Sequence, residues 1–124
     1  MSRDVIIDWR KEKQPSRAAL DLIVRGYFGE SAKTIEWLQD RWYVTLHGRL
    51  SFPFLHVGPA TPTQRAYWAD PMVLGTARTI EVWPSKDGKV LYVMTRLVDP
   101  LTRDLADAFA SLVATAFDGR IRPE

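Results

Sequence analysis

Any chemistry in this chain would have to start from its two histidines. His47 and His56 flank the sequence Phe52-Pro53-Phe54, and Asp70 is the next acid along the chain. Imidazoles with a carboxylate nearby are the raw material of a metal site or of a general base. A metal site wants ligands that converge, at i, i+4 on a helix or i, i+2 on a strand. His47 and His56 meet neither spacing. His47 is the better of the two, because it ends an alternating run and a strand fixes side-chain direction. Ser51 lies between them, but no Gly-x-Ser-x-Gly turn presents it as a nucleophile. Glycine-rich phosphate loops are absent as well. Asp4 and Asp8 share one face of a strand, about 13 Å apart, too far for a glycosidase dyad. Glu36 and Glu81 sit between apolar residues and read as solvent-facing strand positions. There is no cysteine, which removes thiolate ligands, thiol nucleophiles and disulfides. The residues lean away from catalysis, and no metal or cofactor is expected. A small enzyme or ligand-binding domain with a cleft at His47, His56 and Asp70 stays as the alternative.

Contact chemistry is better supplied. The 124 residues include five tryptophans, four tyrosines and five phenylalanines. Arg65, Tyr67 and Trp68 stand in a proline-containing stretch that also holds Phe52 and Phe54. Arginine, tyrosine and tryptophan together are the composition of an interface hot spot. Proline stiffening lowers the ordering cost of binding. These five residues are the candidate binding set, and the partner they suit is another protein. Trp37, Trp42 and Trp83 read instead as core or cross-strand packing.

Charge points the same way. Seventeen basic and fifteen acidic residues are interspersed, for a net charge of +2. A nucleic-acid surface concentrates its charge on one face, so this balance argues against one. The weaker idea of base stacking would use Trp9, Arg10 and Arg41. The apolar run from Val5 to Ile7 is too short for a signal peptide. No run approaches the ~20 apolar residues of a spanning helix. The expectation is one cytoplasmic domain without membrane contact.

The elements that must position these residues follow from periodicity. Asp4 to Trp9 reads as a strand. Pro15 opens a helix whose stripe is Ala19, Leu20, Ile23, Val24 and Tyr27, bracketed at its end by Gly26 and Gly29. Residues 34–38 are ambiguous: a strand, or a short helix capped by Ser31. From Arg41 to His47, Trp42, Val44 and Leu46 alternate with Tyr43, Thr45 and His47, and the chain turns at Gln39-Asp40. Residues 48–76 form an irregular insert broken by prolines, with a short helix over 62–68 as one option. Ala77 to Trp83 and Lys89 to Arg96 form a hairpin around Ser85-Lys-Asp-Gly88. Asp99 caps a helix from Pro100 to about Phe117. Its expected buried stripe is Leu101, Leu105, Ala108, Phe109, Leu112, Val113 and Ala116. Gly119 is its cap and Arg120 to Arg122 a short last strand.

The fold class is therefore α+β. A single antiparallel sheet of about five to six strands carries two helices on one face, in the order β-α-β-β-(irregular insert)-β-β-α-β. From Arg78 to Ile121, a hairpin leads through Asp-Pro into a helix that ends at glycine and a short strand. That order resembles a pattern of small bacterial α+β proteins, some of them immunity proteins that neutralise a toxin. The resemblance assigns no residue. It implies a non-enzymatic, contact-acting protein of immunity or inhibitor type. Open sheets have edges to protect, so a homodimer paired through edge strands is an alternative to a monomer.

Overall fold

The computed structural model describes residues 3–10, 14–49, 77–95 and 100–123. Its strands and helices run β1 (Arg3–Trp9), α1 (Arg17–Phe28), β2 (Ala32–Leu38), β3 (Arg41–Arg49), β4 (Ala77–Pro84), β5 (Val90–Thr95), α2 (Pro100–Ala116) and β6 (Gly119–Ile121). The six strands make one sheet in the order β2-β3-β4-β5-β1-β6, with every neighbouring pair antiparallel. The element order and the α+β class are those read from the sequence. Residues 50–76, which hold most of the insert, lie outside the described residues, as do Arg96 and Asp99.

Strand alternation builds the core. Val5, Ile7 and Trp9 of β1, Trp42, Val44 and Leu46 of β3, Ile80 and Val82 of β4, and Leu91 and Val93 of β5 are all buried. Helix α1 lays Leu20, Val24 and Phe28 on this face. Helix α2 adds Phe109, Ala110 and Val113 and packs against β1, β4, β5 and β6. The helices meet where the Phe28 and Phe109 ring centroids stand 4.7 Å apart. Each buried Leu, Ile, Val or Phe contributes about 1.5–3 kcal/mol, so this face carries the stability.

Local chemistry places the ends. Pro15 is not in the first turn of α1. Ser16 takes the cap in extended backbone, and its Oγ accepts the Ala19 N–H at 3.1 Å. Gly26 and Gly29 bracket the end of α1 as expected: the helix stops at Phe28 and Gly29 is its C-cap. Residues 32–38 are strand rather than helix. Ser31 caps nothing there; its carbonyl accepts the His47 N–H at 3.0 Å, next to the β2–β3 ladder. At the β2–β3 turn, Gln39 and Asp40 have φ of 53° and 61°, the backbone of a two-residue hairpin turn usually given to Asn-Gly. Gly88 has the φ of 72° that its turn requires.

Two details of the last third differ from expectation. Helix α2 is rotated, so that Thr102, Ala106, Phe109, Ala110 and Val113 are buried while Leu101 and Leu112 are 48% and 42% exposed. Its stripe is set by the Phe28 ring it meets and by Thr102, whose Oγ1 accepts Arg78 Nε–H at 2.9 Å. Gly119 is not the cap of α2. Asp118 takes the left-handed position, with φ of 55°, and Gly119 opens β6. A Cβ at Gly119 would stand 2.5 Å from Ile7 Cγ2 and 3.0 Å from the Trp9 ring, so glycine there serves close approach. No helix among the described residues is long and apolar enough to cross a membrane.

Candidate interaction surface

The sheet face turned away from the helices is aromatic and polar. Strand register decides its centre: Tyr43 of β3, Glu81 of β4 and Met94 of β5 lie side by side. Arg41 and Trp83 flank Glu81 on the same face, and Tyr92 stands opposite Trp83. Glu81 is not solvent-facing; it is fully buried. A buried carboxylate needs a partner, because its desolvation is otherwise prohibitive. Arg41 supplies one, with Nη1 donating to Glu81 Oε1 at 3.1 Å. The same guanidinium lies 3.7 Å from the Trp83 ring centroid. Trp83 leans on Tyr92, with centroids 5.4 Å apart. The Arg41 Nε is buried without a hydrogen-bond acceptor, so the group is held by one edge and one ring face. The result is a row of Glu81, Arg41, Trp83 and Tyr92 in which each side chain fixes the next.

Beside this row a shallow groove of about 460 Å³ opens over β2, β3 and β4. Glu36, Leu38, Gln39, Tyr43, Thr45 and Thr79 line it. Leu38 is 53% exposed, and the Tyr43 hydroxyl donates to Gln39 Oε1 at 3.1 Å. The groove therefore offers one apolar floor position, one carboxylate and several hydroxyls. Such a mixture suits side-chain recognition.

The sequence candidates fall on both sides of the description. Phe52, Phe54, His56, Arg65, Tyr67, Trp68 and Asp70 lie outside the described residues. His47 is described. It is exposed near the end of β3, and its backbone carbonyl accepts from Arg78 at 3.4 Å. Its side chain has no hydrogen-bond or ionic partner among the described residues. No group of three or more histidines and carboxylates converges among those residues. The base-stacking set does not assemble. Trp9 is buried on the helix-covered face, whereas Arg41 is on the other and Arg10 stands 3.8 Å from Asp118.

The Arg41–Glu81 pair was missed from the sequence. Its signal, a glutamate within an apolar strand and an arginine opening another, becomes a pair only once β3 is registered on β4. Residues 50–76 separate those strands along the chain, so the sequence alone does not set that register. On the helix side, the Trp42 indole N–H donates to Asp21 at 2.8 Å and Arg25 grips the same carboxylate at 3.0 Å. The Trp42 bond and, after it, Arg25 hold Asp21 below the ordinary aspartate value of 3.8. Against these arrangements, comparison with protein-family models, with curated proteins and with solved structures finds no match for the chain.

Proposed function

We propose that this chain is a non-enzymatic protein-binding module of bacterial type, an immunity- or inhibitor-like protein that acts by covering a partner's surface. The outer sheet face is its contact surface, with the insert that leaves β3 and returns at β4. The observation that carries the proposal is the preorganised row of Arg41, Trp83 and Tyr92 beside the Leu38–Tyr43 groove. Arginine and aromatic side chains fixed before binding cost little rotamer entropy on association and make effective anchors. Glu36 in the groove favours a partner that presents a basic side chain among apolar ones.

Photocrosslinking in the native cell tests this. A photoreactive residue at Leu38 or Thr79 should give one discrete protein adduct, and the same residue at Arg103 on α2 should not. Adducts that are equal at all three positions, or absent from Leu38 and Thr79, would remove the outer face as the contact surface.

A further inference from the structure

The two edges of the sheet are built differently. At one, β6 is three residues long and runs into Pro123, whose nitrogen has no proton to offer a neighbour. Short strands and prolines are the usual means of closing an edge. At the other, β2 is seven residues long and without proline, and among the described residues it pairs only with β3.

Register decides what β2 presents. Leu38 and Arg41 flank the two-residue turn, so they form a hydrogen-bonded pair, and Glu36–Tyr43 and Thr34–Thr45 follow at a period of two. The N–H and C=O groups of Ile35 and Trp37 therefore point outward from the edge. The register shift between Ala32 and Thr34 leaves Lys33 as an extra residue, so Lys33 and Thr34 are both exposed while Ala32 and Ile35 lean on the core. Lys33 and Glu36 are the only charges on the strand, one of each sign, and neither has an ion-pair partner among the described residues.

We propose that two copies of this chain pair antiparallel through β2, about a two-fold axis at Ile35. Length and charge choose that register. Centred on Ile35, all seven residues are opposed, with Ala32 facing Leu38 at either end. Thr34 then lies opposite Glu36 of the second copy, which brings the neighbouring Lys33 within reach of that carboxylate, twice by symmetry. Centred instead on Glu36, the two carboxylates would face each other directly and the start of the strand would stay unpaired. A lysine and a bulge on an edge strand usually keep other strands away. Here the lysine has a matching acid three residues on, so the edge is selective for its own copy. The pairing lies in the plane of the sheet and leaves the outer face open. It therefore stands apart from the protein-binding role, although both use Glu36.

Sedimentation velocity of the pure chain tests this from about 1 to 300 μM. A seven-residue edge is a small interface, so the expected dissociation constant is on the order of 10 μM. Lys33→Glu and Glu36→Lys should each weaken the dimer at least about fivefold, because both symmetric contacts become repulsive, and the double exchange should restore it. Both side chains are exposed, so the fold should survive these changes. In the wild type, amide exchange at Ile35 and Trp37 should slow as concentration rises, while Glu36, already bonded to β3, should not respond. A chain that stays monomeric throughout, whatever other protein it captures, overturns the proposal. So does a dimer that ignores the single charge changes or is not restored by the double exchange, and so does one that forms without protecting Ile35 and Trp37.

Discussion

Replacing Arg41 by alanine tests how the outer face is held. Glu81 is fully buried and Arg41 is 18% exposed. Breaking a buried ion pair by removing one partner costs about 3–5 kcal/mol, because the other charge is left uncompensated. Glu81 keeps a further interaction of its own, which sets the expectation at the lower end, about 3 kcal/mol. Up to about 1 kcal/mol of that is the lost stacking on Trp83. The rest should depend on the charge of Glu81. In a Glu81→Gln background no carboxylate is stranded, so Arg41→Ala should cost only about 1 kcal/mol, a coupling of about 2 kcal/mol. Urea unfolding followed by tryptophan fluorescence measures all four chains. Equal penalties in both backgrounds would refute the idea that Glu81 needs Arg41 as its counter-charge.

Trp42→Phe should destabilise by about 2 kcal/mol, since it opens space in the core and removes the indole hydrogen bond to Asp21, which keeps Arg25 as its partner. Trp9→Phe should cost under about 1 kcal/mol, because it also removes a buried indole N–H that has no acceptor; the two unfolding midpoints compare them directly. Asp118→Gly should raise stability by about 1 kcal/mol by relieving the left-handed backbone after α2, whereas Gly119→Ala should lower it by about 1–3 kcal/mol by driving a Cβ into Ile7 and Trp9; thermal melts show both signs. Asp21 is held below 3.8 mainly by Trp42, and Asp8 is held below it mainly by Arg122. Their contribution is full above the unfolded value and is lost as pH falls through the lower folded values, so Asp21→Asn should flatten the acid limb of a stability–pH curve. A limb unchanged by that substitution would show that other carboxylates control acid unfolding.

Much of the fold was legible because local patterns had one solution. The alternation of Trp42, Val44 and Leu46 could bury one face only as a strand. Asp87-Gly88 could serve only as a turn, and the run after Pro100 had a helical period over most of its length. What escaped depended on partners outside each element. Residues 32–38 had mixed propensity, and only pairing with β3 made them strand. The stripe of α2 was broad enough to fit more than one rotation, and packing against Phe28 chose one. Gly119 looked like a cap because glycine after a helix usually is; the close approach of Ile7 and Trp9 cannot be seen from neighbours in sequence. The candidate contact residues of the insert were picked by composition, while the row of Arg41, Glu81, Trp83 and Tyr92 came only from register.

By itself, then, the sequence determined much of the inventory among the described residues: the order of the two helices and of every strand but the ambiguous 34–38, the inward face of Trp42, Val44 and Leu46, the tight turns, and the want of cysteine chemistry. Those features depend on side-chain period and on backbone preferences within a few residues. Tertiary structure decided the rest. It placed β1 between β5 and β6, buried Glu81 against Arg41, and set β2 at the edge of the sheet. Those outcomes rest on which strands pair and in what register, a choice made by the whole core at once, since a one-residue slip would turn every inward side chain out.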